Sequence, residues 1–365
     1  MNLIDDTITN LSARLKKKEI SAVDIANECL KQIEKLDPKI NAFITQVDPK
    51  TVLDQAKKIK LTTPLSGIPY VLKDAYVTKG LRTTAGSNVL SNYIPEYDAT
   101  VVGKVNTAGS ILLGKMNMDA WGHGGSTENT DFSPTKNPWD ITRVAGGSGG
   151  GPAAAIASRM CLFAIGEDSG GSIRNPAGWC GITGLKVTYG RVSRYGSIAY
   201  ASSFDTVGPT AKTAEDCALI LQYIAGLDPY DATSSPLLVG DYTSHIQEGV
   251  KGKIIGLPKE FMSKGLDPEV KQLVLQAAKK FVDLGAKIEA VSLPTLEYGI
   301  SIYYLLAPSE TSSNLARYDG IRYGNGRDKF TPETMRRIMI GTYALSAGYY
   351  DQYYKKAQQA RTLII

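Results

Sequence analysis

Two serines in glycine-rich segments and one lysine at the end of an apolar run are the residues of this sequence best suited to covalent chemistry. Ser148 lies in AGGSGGG, Ser172 lies in EDSGGS, and Lys73 ends the run IPYVLK. A serine hydroxyl attacks a carbonyl carbon only when a nearby base takes its proton. The chain has only two histidines, His123 and His245, so a lysine held neutral by burial is the obvious base. The pattern therefore indicates acyl transfer.

Each member of this set has a separate task in the hypothesis. Ser172 is the predicted nucleophile, Ser148 takes its proton, and Lys73 is the terminal base. The glycines after Asp168 allow the backbone to turn tightly and to approach a substrate. Their N–H groups are suited to an oxyanion hole, in which one donor commonly contributes ~3–4 kcal/mol. The predicted donors are three consecutive residues: Ser169, Gly170 and Gly171.

Three other interpretations of the glycine-rich segments remain open on the residues alone. GGSGGG is a composition typical of flexible linkers, although the helix-like and strand-like PAAAIASRMCLFAIG follows it at once. A glycine loop before a helix also suits phosphate binding, but the chain has no G-x-x-x-x-G-K-[ST] motif. EDSGGS resembles the GDSGGP segment of trypsin-like proteases, which need an upstream histidine and aspartate on an all-β double barrel. The α/β pattern of this chain disfavours that barrel.

Composition is that of a soluble globular enzyme. The chain has 365 residues, of which 43% are hydrophobic and 21% are charged. No apolar run approaches the roughly 18–20 residues that span a bilayer, and the N-terminus lacks the pattern of a signal peptide, so we predict a cytoplasmic protein with no membrane contact. The four scattered cysteines predict buried free thiols. A net charge of +5 permits an acidic partner such as tRNA or another subunit, although most chains with this charge bind no nucleic acid.

The middle of the chain alternates strand-like and helix-like segments. Residues 68–73 and 110–116 are apolar runs typical of buried strands, and 98–109 between them has a helical pattern. A second strand–helix–strand pattern runs from 253–258 to 286–294. Alternation of this kind predicts an α/β fold, with one compact domain built on a mixed, largely parallel sheet that is covered by helices.

The N-terminal stretch predicts a helix. Ser21 with Asp24 three residues later forms a capping box, and the Asp-Pro pair that ends in Pro38 is expected to stop the helix. We therefore predict that residues 1–64 are a helical segment packed on the core and that residues 65–365 form the α/β domain. Because the chain ends in the apolar TLII, we expect that domain to be truncated at its C-terminus.

The segments around the two serines resemble the amidase signature family of Ser–Ser–Lys amidases. GGSGGGPAAAIA and GEDSGGSIRNPAGWCGITGLKVTYGRVSRYG carry this resemblance, with 75 residues from Lys73 to Ser148 and 24 from Ser148 to Ser172. It implies the amidase signature fold, with Lys73 as terminal base, Ser148 as the bridging serine in cis, and Ser172 as the residue that forms the acyl-enzyme. The sequence departs from the family pattern at a few positions. Among these is Glu167, where the family usually has a small polar residue.

Within the family, the chain most resembles the glutaminase subunits of tRNA-dependent amidotransferases. The segments that carry this finer resemblance are 126–140, 190–221, 312–324 and 341–364. It implies that glutamine is hydrolysed and that the ammonia serves Glu-tRNA(Gln) or Asp-tRNA(Asn). It also implies a kinase/transamidase partner subunit that uses ATP and Mg²⁺ and contacts the tRNA, together with a small bridging subunit. No cofactor or metal is expected in this chain.

The same resemblance implies three substrate contacts, at Ser126, Tyr303 and Arg337. The neighbouring Arg336 leaves open which arginine contacts the substrate.

The alternative function is that of a stand-alone amidase of the same family acting on small amides. Arg174 is expected to fix its loop, by pairing with Asp168. No role is predicted for His123.

Overall fold

The computed structural model describes residues 3–262 and 265–364. The helices in this part of the chain are α1 (Ile8–Lys16), α2 (Ala22–Ile40), α3 (Pro49–Lys58), α4 (Thr100–Thr107), α5 (Gly150–Ala157), α6 (Arg174–Cys180), α7 (Ala214–Ile224), α8 (Pro268–Asp283), α9 (Gly299–Leu315), α10 (Pro332–Ala344) and α11 (Lys356–Ile364). The strands are β1 (Phe43–Gln46), β2 (Pro69–Lys73), β3 (Ile111–Met116), β4 (Lys136–Asn137), β5 (Asp140–Val144), β6 (Phe163–Asp168), β7 (Thr183–Gly184), β8 (Thr206–Ala211), β9 (Ile254–Pro258) and β10 (Lys287–Val291).

The chain forms two compact units. The first comprises Met1–Tyr242 and Ala307–Thr342, and the second comprises Thr243–Leu306 and Tyr343–Ile365. The domain boundary predicted after residue 64 remains a prediction.

A six-stranded sheet is the framework of the first unit. Its strand order is β1-β3-β2-β6-β8-β7. The three central strands β3, β2 and β6 are parallel, and β1, β8 and β7 pair antiparallel to their neighbours. Parallel neighbours need a crossover connection, which α4 provides between β2 and β3 and α5 provides before β6. The predicted mixed α/β class is confirmed, and parallel pairing is confined to the centre of the sheet.

The central strands bring polar residues to one edge of the sheet. Every residue of β2 and β6 is buried, as expected for strands that are covered on both faces. Lys73 is the last residue of β2, and Glu167 and Asp168 are the last two of β6. Because β2 and β6 are parallel neighbours, these residues lie at the same edge, where α/β sheets usually place their binding sites.

The N-terminal helix α2 begins as predicted but ends later. The Ser21 side chain accepts the Asp24 N–H, and the Asp24 carboxylate accepts the Ser21 N–H. Pro38 does not stop the helix, which continues to Ile40. Pro38 falls in the last turn, so the lost hydrogen bond and the bulk of its ring affect only the end of the helix. The helix ends at Asn41, in the left-handed conformation with φ 57°. The strand β1 follows, so the predicted helical segment also supplies an edge of the sheet.

The second strand–helix–strand pattern is also confirmed. Asp267 caps α8 by accepting the Glu269 N–H at 2.8 Å, and Pro268 begins the helix. The strands on either side, β9 and β10, pair in parallel with Lys287 opposite Ile254. They form a two-stranded sheet of their own.

Two predictions from composition can be compared with the structure. The four cysteines are free thiols in buried positions, as predicted: Cys29, Cys161, Cys180 and Cys217. No helix within residues 3–262 and 265–364 is long and apolar enough to cross a membrane.

Gly151, in the first turn of α5, shows why the segment after Ser148 is rich in glycine. A Cβ at this position would lie 2.4 Å from the carbonyl oxygen of Asn117 and 2.7 Å from that of Ala42. Both obstacles are backbone atoms, which cannot move away as a flexible side chain can. At Gly151, α5 therefore lies closer to the backbone of Asn117 and Ala42 than any residue with a side chain would allow.

We predict that Gly151→Ala destabilises the protein by about 1–3 kcal/mol, the usual cost of overpacking. The matched control is Gly103→Ala in α4, where a Cβ would meet nothing within 4 Å. That substitution should be neutral or stabilising by up to about 1 kcal/mol, because alanine favours a helix over glycine. Thermal unfolding of the two variants measures the difference, and equal midpoints would contradict the close approach.

Candidate active site

Lys73 and Ser148 lie together at the carboxyl edge of the sheet. The Nζ of Lys73 is 2.8 Å from the Oγ of Ser148, and both residues are fully buried. Strand β2 fixes Lys73, and Ser148 follows a cis peptide bond from Gly147 just before α5. The Gly149 N–H donates to the carbonyl oxygen of Ser172 at 3.2 Å. The structure thus brings the lysine and both serine segments into one site.

A second side chain, Glu167, contacts the lysine. Its Oε2 is 3.2 Å from the Nζ of Lys73, and its backbone oxygen is 3.5 Å from the same nitrogen. The two side chains are 0% and 3% exposed, so this is a buried ion pair. The Oε1 of Glu167 has no hydrogen-bond partner among the described residues. From the sequence, Glu167 is recognised only as a departure from the family pattern, and no role is predicted for it.

Asp119 ties the segment before the serine loop to the site. Its carboxylate oxygens accept the N–H groups of Thr127 and Asn129, both at 3.0 Å, and its own N–H donates to the carbonyl oxygen of Ser148 at 3.1 Å. Burial raises the pKa of Asp119, against the opposing effects of these N–H groups and of the charge on Lys73. Nothing in the sequence near MNMDAWG distinguishes this aspartate, so sequence reasoning missed it.

Ser126, a predicted substrate contact, lies beside the serine loop. Its backbone N–H is hydrogen-bonded to Asp119, and a Cβ built on Gly147 would be 2.5 Å from that nitrogen. The residue is half-buried. This position next to Ser148 is consistent with a substrate contact, which remains a prediction.

The pairing predicted for Arg174 and Asp168 is present. The guanidinium donates through Nε to Oδ2 at 3.0 Å and through Nη2 to Oδ1 at 2.9 Å. Burial alone would raise the pKa of Asp168, but the hydrogen bonds and charge of Arg174 and two backbone N–H groups hold it below its ordinary value. Asp168 also accepts the Gly171 N–H at 2.8 Å. Of the three predicted oxyanion donors, Ser169 and Gly170 are therefore the better candidates.

Asp205 anchors the other side of this loop. Its carboxylate accepts the hydroxyl of Ser169 and the N–H groups of Tyr200 and Ala201. Burial, and next the charge of Glu167, raise the pKa of Asp205 well above its ordinary value. A carboxyl group in this setting favours its protonated form.

The two adjacent arginines of α10 have different surroundings. Arg337 is only 7% exposed and donates to the Oε1 of Glu333 at 2.8 Å and to the hydroxyl of Tyr200 at 2.7 Å. Arg336 is 66% exposed. Burial therefore favours Arg337 as the functional arginine. Tyr303 belongs to the second compact unit, where its ring packs edge-on against the neighbouring Tyr304, and its predicted substrate contact remains a prediction.

His123 proves to be a buried connecting residue. Its Nδ1 is 3.2 Å from the hydroxyl of Thr334, and its Nε2 is 3.2 Å from the hydroxyl of Thr311. Its ring also meets the ring of Tyr200 edge-on. Burial, and next the charge of Arg337, lower the pKa of His123 well below its ordinary value. The imidazole therefore favours its neutral form, and it links α9 and α10 to the loop that follows β3.

The side chains gathered at this edge suit acyl transfer by a serine. They supply two serine hydroxyls, a buried amine, and a loop of N–H groups that carboxylates hold in place. Within residues 3–262 and 265–364, no three or more His, Cys, Asp or Glu side chains are arranged to hold a metal ion.

Comparisons with known proteins agree with this chemistry. The profile of the amidase family matches residues 24–365. The chain is 50% identical to the A-subunit of glutamyl-tRNA(Gln) amidotransferase from Desulfatibacillum aliphaticivorans and 49% identical to that from Geobacillus kaustophilus. Each alignment covers all of this chain and 79% of the relative.

Solved structures show the same relationship. The A-subunit of glutamyl-tRNA(Gln) amidotransferase from Thermotoga maritima is 40% identical, with a TM-score of 0.85 over all of this chain and 76% of that one. A bacterial aryl acylamidase of the amidase signature family is 28% identical, with a TM-score of 0.86 over 98% of this chain and 75% of that one. The family profile, the relatives and the shared fold together establish that this chain belongs to the amidase family, with the amidase signature fold.

Proposed function

We propose that this chain is the glutaminase subunit of a tRNA-dependent amidotransferase. It hydrolyses glutamine and supplies ammonia for the conversion of Glu-tRNA(Gln) to Gln-tRNA(Gln). The observation that carries the proposal is the buried contact of 2.8 Å between Lys73 and Ser148, at the sheet edge that also holds the Ser172 loop. The identity of about half of the residues with the A-subunits of glutamyl-tRNA(Gln) amidotransferases supports this substrate.

In the proposed reaction, the three residues act in sequence. The Oγ of Ser172 attacks the side-chain carboxamide of glutamine while its proton passes to Ser148, and the proton of Ser148 passes to Lys73. The N–H groups of Ser169 and Gly170 stabilise the oxyanion. The carbon–nitrogen bond then breaks. The nitrogen takes up the relayed proton and leaves as ammonia. Water then attacks the ester on Ser172, and its proton passes through the same relay to the Oγ of Ser172 as the carbon–oxygen bond breaks, which releases glutamate and restores the hydroxyl.

The use of the ammonia requires partners. A kinase/transamidase subunit that binds ATP and Mg²⁺ would activate the misacylated tRNA, and a small subunit would bridge the two proteins. The tRNA would be held mainly by the kinase/transamidase subunit, in the cytoplasm, where translation takes place. Asp-tRNA(Asn) is the second acceptor that such a complex would serve.

A stand-alone amidase is the second candidate, because the fold also matches that of an aryl acylamidase. The two functions differ in substrate and in assembly. Rapid hydrolysis of simple aryl amides by the isolated chain, with no associated subunits after purification from its source, would favour the second candidate.

The first prediction of the proposal concerns the nucleophile. A glutamine-like electrophile should form a covalent adduct on Ser172, because that residue carries the attacking oxygen. Peptide mass mapping after digestion locates the adduct. Ser172→Ala should abolish it, whereas Ser91→Ala, at a serine outside the site, should not. An adduct on any other residue would overturn the assignment.

The second prediction concerns the terminal base. Lys73→Met and Lys73→Arg should each lower the rate of glutamine hydrolysis by about four orders of magnitude, because members of a catalytic relay act as a unit. Arginine fails although it keeps the positive charge, since a guanidinium does not give up its proton in proteins. Lys79→Arg, at an exposed lysine nearby, is the control. Near-normal turnover by Lys73→Arg would contradict the mechanism.

The third prediction concerns substrate binding. Arg337→Met should raise the KM for glutamine about tenfold or more with a smaller change in kcat, because a hydrogen bond to a charged group is worth about 1.5–3 kcal/mol. The adjacent Arg336→Met removes the same charge from an exposed position and should change neither constant by more than about twofold. Steady-state kinetics with glutamine decide the point. Equal effects of the two substitutions would remove Arg337 from the substrate site.

A further inference from the structure

The buried ion pair between Lys73 and Glu167 has a consequence for the serine relay. To accept a proton from Ser148, the nitrogen of Lys73 must have a free lone pair. Nζ lies 3.2 Å from the Oε2 of Glu167, and both side chains are almost completely buried. An opposite charge at this distance favours the charged form of a side chain, and the effect is stronger where water is excluded. The Glu167 carboxylate therefore favours the charged form of Lys73, the amine that has to be neutral to accept a proton.

The surroundings of the pair add to this effect. Asp119, on the segment after β3, also interacts electrostatically with Lys73. The other buried cation nearby, Lys115 on β3, is neutralised by Asp74, whose Oδ1 is 3.0 Å from its Nζ. Lys73 thus faces the carboxylates of Glu167 and Asp119, whereas Lys115 is paired with Asp74.

Two further groups face Glu167. Tyr76 donates its hydroxyl to the backbone oxygen of Gly166, and burial, followed by the charge of Glu167, raises its pKa well above the ordinary value. Burial, followed by the charge of Glu167, also raises the pKa of Asp205. Both groups therefore favour their neutral forms. Lys73 is left as the only cation in direct contact with the Glu167 carboxylate among the described residues.

We propose that Glu167 keeps Lys73 in its ammonium form near neutral pH and thereby restrains the serine relay. The inference rests on the proposed function, because the relay is the one assigned there. Glu167 is a positioning residue in this scheme, since it acts on the substrate only through the lysine. The amidase is consequently slow while Glu167 is charged and Lys73 is protonated.

In the restrained state, the ammonium of Lys73 donates to the Oγ of Ser148 and to the Oε2 of Glu167. One proton must leave the nitrogen, either to Glu167 or to solvent as the pH rises, before the lysine regains its lone pair. The proton of Ser148 then moves to Nζ, and that of Ser172 moves to the Oγ of Ser148 as the bond between Oγ and the carbonyl carbon forms.

The state of the lysine can be measured without enzyme activity. Lysine labelled with ¹³C at Cε gives an NMR signal that moves when the amine loses its proton, and Lys73→Met identifies the signal of Lys73. We expect the wild-type signal to remain that of an ammonium through neutral pH. In Glu167→Gln and Glu167→Thr, the titration midpoint should fall by at least about one pH unit. Unchanged midpoints would overturn the proposal. The Thr variant keeps the test valid if the Gln variant does not fold.

The consequence for the relay is measured on the same proteins. Formation of the Ser172 adduct at pH 7 should be at least about tenfold faster in both Glu167 variants, and the acidic limb of its pH profile should move to lower pH. Glu128→Gln, at an exposed glutamate, is the control and should match the wild type. Slower adduct formation in both variants would overturn the restraint, whether or not the NMR midpoint moves, because Glu167 would then assist the relay.

The two proposals fail in different ways. Adduct formation on Ser172 in every protein, with an unmoved lysine midpoint, would refute the restraint and support the proposed function. A lowered midpoint with no Ser172 adduct in any variant at any pH would refute the proposed function, while supporting the electrostatic control of Lys73 by Glu167.

Discussion

Burying a lysine side chain completely is the constraint on which the active site depends. The side chain of Lys73 has no exposure to solvent, so the free energy of its amine in the fold depends on the few polar atoms around it. Among the described residues, these atoms are the Oγ of Ser148 at 2.8 Å, the Oε2 of Glu167 at 3.2 Å and the backbone oxygen of Glu167 at 3.5 Å from Nζ. A carboxylate offsets the desolvation of an ammonium but opposes its use as a base. The proposed restraint on the relay follows from this contact.

Carboxylates have a second use in this site, because they hold loops by accepting backbone N–H groups. Asp119 fixes the segment after β3, Asp168 fixes the loop after β6, and Asp205 fixes the turn at Tyr200. Glycine-rich loops have little intrinsic preference for one conformation. These buried acceptors hold the loops in one conformation, and the carboxylate of Asp168 additionally determines which N–H groups of its loop remain available.

Burial also distinguishes residues that look alike in the sequence. Arg336 and Arg337 are adjacent in the chain, yet only Arg337 is enclosed, between Glu333 and Tyr200. His123 is enclosed in the same region, where it connects α9 and α10 to the loop that follows β3. The assignment of such residues rests on their surroundings in the fold, since neighbours in sequence have nearly the same local pattern.

The sequence by itself determined the local elements and the chemical class. Apolar runs specified β2 and β3, a capping box specified the start of α2, and three spaced residues indicated acyl transfer. Only the tertiary structure decided that Glu167, 94 residues after Lys73, meets its amine, and that Asp168 takes the N–H of Gly171. The physical reason is that β2 and β6 are far apart in the sequence but pair as parallel neighbours in the sheet. Side chains at the ends of parallel strands meet across the sheet edge, and no local pattern records which of them will face each other.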